Sequence, residues 1–267
     1  LWSTGATTAV ITVNPTATAT YTVTVTNSFG CTASANTTVN VNAPPTAGAG
    51  SPQTICSGQS ATLTATGGGT YLWSTGATTA TIMVNPTANT TYTVTVTGTN
   101  GCTATANTTV TVNATPTANA GSPQTICSGQ SATLTATGGG TYLWSTGATT
   151  ATITVTPTAT TTYTVTVTNA SGCTATASKV VTVNPLPVAN AGSPQTICSG
   201  QSATLTASGG GTYQWNTGAT TATITVSPTS TTTYTVIVIS AAGCASTASA
   251  TVTVNPLPLA NAGSPQT

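Results

Sequence analysis

The stretch that decides the fold is ICSGQSATLTATGGGTYLWSTGATT, at residues 55–79. Its apolar side chains at Ala61, Leu63 and Ala65 alternate with threonines. A period of two is the signature of a β strand with one buried face and one solvent face. The GGG run at 67–69 interrupts this alternation, and glycine runs of this kind mark connections between strands. The stretch therefore predicts two strands joined by a turn.

The same stretch returns at a constant step along the chain. It starts at Ile55 and again at Ile126, about 71 residues later, and Ile197 opens a close variant after a further 71. Self-similarity of fixed period is the mark of tandem structural units. The four tryptophans and four of the tyrosines keep this step: Trp2, Trp73, Trp144 and Trp215, and Tyr21, Tyr92, Tyr163 and Tyr234.

The phase of the repeat predicts where each copy begins and ends. The predicted divisions are a partial first copy at 1–43 that lacks its first strands, complete copies at 44–114, 115–185 and 186–256, and a linker with the first strand of a next repeat at 257–267. Leu1 is equivalent to Leu72, so we interpret the chain as a window of a longer array. In an alternative interpretation, the tail at 254–267 supplies a strand to the first copy of a neighbouring molecule.

The junctions between copies contain proline, as in PLPVANAG at 185–192. Proline favours extended and fairly stiff connections, so the copies are predicted to form an extended rod. Within each copy the alternation of apolar and hydroxyl side chains is nearly unbroken, and no segment has a helical period. Six or seven short strands in about 70 residues predict an all-β fold with two packed sheets.

The charge composition argues against most function classes. Among 267 residues, Lys179 is the only basic side chain, and there is no Asp, Glu or His. General acid–base catalysis and most metal sites rely on imidazoles or carboxylates, and nucleic-acid binding relies on basic patches. We therefore predict no enzyme activity, no catalytic, cofactor-binding or metal-binding residues, and no nucleic-acid partner. No apolar run approaches the ~18 residues of a membrane-spanning helix.

The seven cysteines fall into two series with the repeat step, and paired series predict disulfides formed in an oxidising, extracellular compartment. The first series is Cys31, Cys102, Cys173 and Cys244, and the second is Cys56, Cys127 and Cys198. Pairing within each copy joins Cys56 to Cys102, Cys127 to Cys173 and Cys198 to Cys244, with the partner of Cys31 outside the chain. Pairing across junctions joins Cys102 to Cys127 and Cys173 to Cys198. The sequence leaves both open.

The periodic aromatic residues are predicted to fill the cores, because Trp73 and Trp144 share the inward register of Tyr71 and Tyr142, two positions earlier. In an alternative interpretation the tryptophans form a platform on which sugars stack. Lys179 stands where the preceding copy has Thr108, and the alternation predicts a solvent-facing position for it.

Two segments carry a resemblance to known proteins. They are TICSGQSATLTATGGGTYLWSTGATTATITV at 125–155 and TTYTVTVTNASGCTATA at 161–177, with their C-x-G, W-S-T-G and G-C-T elements. They resemble the Ig-like and PKD-like repeats of very large secreted surface proteins of gliding and other Bacteroidetes-type bacteria. The resemblance implies tandem immunoglobulin-like β-sandwich domains that act as spacers or adhesin modules at the cell surface. Calcium sites built from acidic loops are not expected here, because acidic residues are absent.

Two functions follow as hypotheses. The first is a structural component of an extracellular filament, stalk or surface fibre, with self-association along or between fibres. Uncharged strand edges favour such association, since charge is the usual protection against edge pairing. The alternative is a multivalent adhesin of the cell surface that binds glycans or a partner surface and gains avidity from repetition.

Overall fold

The computed structural model describes residues 1–261 and 263, and all the regular secondary structure in this part of the chain is β. The predicted all-β fold is therefore confirmed. The strands are β1 (Ala19–Thr26), β2 (Thr32–Val39), β3 (Gln53–Cys56), β4 (Ala61–Thr64), β5 (Thr70–Trp73), β6 (Thr81–Val84), β7 (Thr90–Thr97), β8 (Thr103–Asn113), β9 (Gln124–Cys127), β10 (Ala132–Thr135), β11 (Thr141–Trp144), β12 (Thr152–Val155), β13 (Thr161–Thr168), β14 (Thr174–Asn184), β15 (Gln195–Cys198), β16 (Ala203–Thr206), β17 (Thr212–Trp215), β18 (Thr223–Val226), β19 (Thr232–Ile239) and β20 (Ala245–Asn255).

The chain divides into two compact units, Leu1–Thr115 and Pro116–Thr267, and the second unit holds the third and fourth copies. Across residues 1–261 and 263, no helix has the length and apolar character needed to cross a membrane. The segment predicted as a linker and first strand, 257–267, lies partly outside the described residues, as does the tail proposed to donate a strand.

Each complete copy consists of a four-stranded sheet and a two-stranded sheet. In the third copy the order is β11-β13-β14-β9 in the larger sheet and β10-β12 in the smaller one, and the second and fourth copies repeat this order. Neighbouring strands are antiparallel, except that the first strand of each copy runs parallel to the last. This exception places the end of the first strand beside the end of the last strand.

The core of each copy lies between its two sheets. In the third copy Leu134 of the smaller sheet packs in one buried cluster with Trp144, Val165 and Val167 of the larger sheet. Leu143, directly before Trp144, is 54% exposed, as a period of two requires. The Trp144 indole N–H donates a hydrogen bond to the Thr150 carbonyl (3.0 Å), so its polar group is satisfied.

The GGG turn packs closely against the segment that enters each copy. In the third copy Gly138 has a φ of +139°, and a Cβ at this position would lie 2.8 Å from the Thr117 carbonyl oxygen. Only glycine accepts both that backbone conformation and that distance. The absence of a side chain at Gly138 therefore lets the incoming linker pack directly against the turn.

Residues 1–43 contain one hairpin, β1–β2, with no facing sheet of their own. Trp2 and Tyr21, which were predicted to be core residues, are only half-buried and line an open cavity of about 260 Å³ together with Val10 and Val39. The prediction is wrong at these two positions. In the complete copies the side chains of the smaller sheet cover the equivalent rings, and residues 1–43 lack the first strand of that sheet.

The predicted solvent-facing position of Lys179 is also wrong. Lys179 lies directly opposite Tyr163, whose ring is buried, so both point to the same face of the sheet. The equivalent residues Thr108 and Ala250 are buried, and Lys179 is half-buried. The Thr108 hydroxyl has no hydrogen-bond partner.

Candidate functional site

The feature built jointly by two copies is a disulfide at the junction of the third and fourth copies. Cys127 of the third copy is bonded to Cys244 of the fourth, with a Cα–Cα distance of 5.5 Å and a sequence separation of 117. The junction sequence PLPVANAG (185–192) connects the same two copies through the backbone. The third and fourth copies are thus joined twice, once by the backbone and once by the disulfide.

The third copy presents Cys127 at its exit end. Cys127 ends β9 and is paired in parallel register with Asn184, the last residue of β14. The Ser128 N–H donates to the Asn184 carbonyl (2.9 Å), and the Gln130 N–H donates to the Cys127 carbonyl (2.9 Å). These bonds fix the thiol position beside the point where the chain leaves the domain.

The fourth copy presents Cys244 in the turn before its last strand. The Ser240 N–H donates to the Cys244 carbonyl (2.8 Å), and the Gly243 N–H donates to the Ser240 carbonyl (2.9 Å), which closes the turn. Cys244 is fully buried, and its Sγ lies 3.9 Å from the Asn184 carbonyl oxygen. The disulfide therefore forms against the backbone at the end of the preceding domain.

Both predicted pairings differ from the structure. Pairing within a copy would join Cys127 to Cys173, but Cys127 lies beside Asn184 and Cys173 directly precedes β14, the strand that ends at Asn184. Eleven extended residues separate the two positions by ~36 Å, whereas a disulfide requires Cα atoms within ~7 Å. Pairing Cys198 to Cys244 fails for the same reason along β20.

The predicted pairing across junctions was right to place a disulfide between neighbouring copies, but it chose the wrong partners. It joined Cys173 to Cys198 and Cys102 to Cys127, yet Cys102 and Cys198 are free thiols, as is Cys31. Cys56 and Cys173 are disulfide-bonded.

Cys102 occupies the position in the second copy that Cys244 has in the fourth. Its Sγ lies 3.7 Å from the Asn42 carbonyl at the end of the first copy, and the Asn100 amide N–H donates to the Ala43 carbonyl (3.0 Å). Residues 1–43 lack the strand that ends in cysteine in the complete copies. The contact between this turn and the end of the preceding copy is therefore the same as at the junction of the third and fourth copies, but it has no disulfide.

The aromatic residues of the complete copies lie inside the domains. Trp73, Trp144 and Trp215 are each 2% exposed, and Tyr92, Tyr163 and Tyr234 are buried with them. Rings in these positions present no face to a sugar. What the junction of the third and fourth copies provides is a covalent bond between domains, the Cys127–Cys244 disulfide.

Comparison with known proteins agrees with the sandwich architecture. The family model described as an Ig-like domain, CHU_C associated, matches residues 185–256, the fourth copy. No curated protein sequence is significantly similar to the chain.

Solved structures with a similar arrangement include an I-band fragment from titin, at 13% identity and a TM-score of 0.40, covering 80% of this chain and 100% of that one. A Ca²⁺-stabilized adhesin that helps an Antarctic bacterium reach out and bind ice is similar at 16% identity and a TM-score of 0.34, covering 88% and 81%. The N-terminal Ig domains of Down Syndrome Cell Adhesion Molecule are similar at 17% identity and a TM-score of 0.32, covering 89% and 38%. The fourth copy thus matches an Ig-like domain model, and the second and third copies have the same strand order as the fourth.

Proposed function

We propose that the chain is a structural segment of an extracellular filament, stalk or surface fibre, in which Ig-like domains joined in series form an extended rod without chemistry of their own. The observation that carries the proposal is the Cys127–Cys244 disulfide, which joins two domains and lies inside neither. A bond in this position restricts the motion of one domain relative to the next and so stabilises their relative orientation.

The packing inside each domain supports this assignment. Leu134, Val165, Val167 and Val181 of the third copy are fully buried, and no disulfide crosses their cluster. A small domain often needs a disulfide to supplement its core. Here the described disulfide is used at the domain boundary, where it limits the motion of one domain against the next.

The surface is suited to a polymer exposed to variable surroundings. Hydroxyl groups pair across strands on the exposed faces, as between Thr164 and Ser178 (2.8 Å) and between Thr235 and Ser249 (2.9 Å). With a formal net charge of +1, such a surface changes little with pH or salt. Edges without charge also permit association between fibres.

Disulfide bonding supports an extracellular or cell-surface location, since disulfides persist in oxidising compartments. The multivalent adhesin remains the alternative prediction. It would be favoured by specific binding of one isolated 71-residue copy on a glycan array.

Solution scattering tests the proposal. Each complete copy is about as long as its final strand, ~36 Å, so the chain should form a rod of ~140 Å with a radius of gyration near ~40 Å. A compact globule of the same length would have a radius of gyration of ~18 Å.

The disulfide should contribute to this shape. We expect Cys244→Ser to lower the radius of gyration and to broaden the distribution of distances, because the third and fourth copies would then be joined by backbone alone. Cys102→Ser, which removes a free thiol, is the matched control and should leave the scattering unchanged. A radius of gyration near that of a globule, or identical scattering from Cys244→Ser and the wild type, would contradict the proposal.

A further inference from the structure

Two covalent connections cross the junction of the third and fourth copies, and each of them joins two strands. β14 leads through the backbone at 185–194 into β15. β9 leads through the Cys127–Cys244 disulfide into β20. We call the first connection the backbone path and the second the disulfide path.

The strands of the two paths are neighbours in the larger sheets and run in the same direction. β9 is paired in parallel register with β14, and β15 is paired in the same way with β20. Because Cys127 pairs with Asn184, β9 and β14 end together where the chain leaves the third copy. A pull along the chain therefore acts along both strands of each pair, and it loads the hydrogen bonds between them together rather than one at a time.

The disulfide path has little length to gain. All 11 residues of β20, which starts directly after Cys244, are in the extended conformation of a strand. The Cα atoms of Cys127 and Cys244 are only 5.5 Å apart. A strand rises by ~3.3 Å per residue, which is close to the maximum that a polypeptide reaches. The disulfide path is therefore already near its full length in the folded protein.

The disulfide also closes a loop that contains most of both domains. Residues 128–243 lie between its two cysteines, and they include β10–β14 of the third copy and β15–β19 of the fourth. Fully extended, a span of this length would reach ~400 Å. The cores built around Leu134 and Leu205 both belong to this loop. While the bond is intact, unfolding of either core adds no length between β9 and β20.

We infer that the Cys127–Cys244 disulfide bears tension applied along the chain, and that it prevents the third and fourth copies from lengthening under that tension. The inference rests on the proposed filament function and states how such a filament withstands pulling. Without the bond, all tension would pass through the backbone, and an unfolding core would release its residues as added length. With the bond, tension passes from β9 to β20, and a core that opens can refold between ends that stay close together.

Single-molecule force spectroscopy on the full chain tests the inference, with pulling handles attached at Thr117 and Leu259, which are both exposed. Azidophenylalanine at these two positions allows attachment without an added cysteine. With the disulfide intact, only about 25 residues between the handles can extend, so the wild type should stop lengthening near ~90 Å.

Removal of the bond should release the loop. Cys127→Ser/Cys244→Ser should extend to ~500 Å between the same handles, a gain of ~400 Å over the wild type. Cys198→Ser is the matched control, because it removes a cysteine at the equivalent end of β15 that forms no disulfide here. Its extension should equal that of the wild type.

A second measurement asks whether the bond itself is loaded. In dithiothreitol, a thiolate of the reductant attacks one sulfur, forms a mixed disulfide with it and releases the other cysteine as a thiolate. The wild type held at constant force should then lengthen by ~400 Å as the cores unfold. At reductant concentrations to which the rate of this lengthening is proportional, the rate should rise with the force, because tension along the S–S bond favours its cleavage.

Two outcomes would overturn the inference. They are a wild type that extends as far as Cys127→Ser/Cys244→Ser without reductant, and a reduction rate that does not change with force. Neither depends on whether the double variant folds, because an unfolded variant also extends to ~500 Å. Scattering of the unpulled chain reports separately on the proposed function. An extended chain with either outcome would refute the tension-bearing disulfide alone, whereas a compact chain would refute the filament.

Discussion

The interior of the third copy and its junction with the fourth are held together in different ways. The interior depends on apolar side chains such as Leu134 and Val165, packed without a disulfide across them. The junction depends on the Cys127–Cys244 bond and on backbone groups such as the Asn184 carbonyl. The difference shows that packing forms each domain, whereas the disulfide fixes how one domain follows another.

Loss of packing should have the largest effect. Leu134→Ala should lower the free energy of unfolding of the third copy by about 2–5 kcal/mol, because it leaves a cavity beside Trp144. Calorimetry of the full chain should show one transition moving down by at least ~10 °C. Leu143→Ala, its matched control on the exposed face, should stay within about 0.5 kcal/mol. Equal effects of the two substitutions would mean that the sheet faces are assigned wrongly.

A smaller effect, in the opposite direction, is expected at Thr108. Its hydroxyl is buried at 3% exposure without a hydrogen-bond partner, and the fourth copy has Ala250 at this position. Thr108→Val should raise the free energy of unfolding of the second copy by about 1 kcal/mol, because an unsatisfied polar group is removed from the core.

Calorimetry of the full chain would again measure the shift, here as a transition moving upwards. Thr105→Val, on the exposed face of the same strand, is the control and should change little. A loss of stability in Thr108→Val would show that the hydroxyl has a partner, such as a buried water.

The sequence predicted the strands and their faces because a period of two is a local property. Leu72 and Trp73 are neighbours in β5 and lie on opposite faces as a period of two requires, with Trp73 buried and Leu72 exposed. Ala80 continues the alternation of the buried residues Ile82 and Val84 but is exposed, since β6 begins only at Thr81. Alternation extends past the end of a strand, whereas burial does not.

The cysteine pairing could not be predicted, because it depends on which strands are neighbours and in which direction they run. Only the parallel pairing of β9 with β14 puts Cys127 at the exit of the domain, away from Cys173. No residue in QTIC signals that direction. The fixed spacing of the two cysteine series was a usable signal of a repeated bond, but it fits several pairings equally well.

The disulfide between domains can be tested with a single protease cut. Lys179 is the only site for trypsin, and it separates Cys127 in residues 1–179 from Cys244 in residues 180–267. Thiol-blocked, denatured protein cut by trypsin should run as one species without reductant and as two fragments with it. The species should survive Cys198→Ser and be lost in Cys244→Ser. Two separate fragments without reductant would contradict the account, because they would place every disulfide on one side of Lys179.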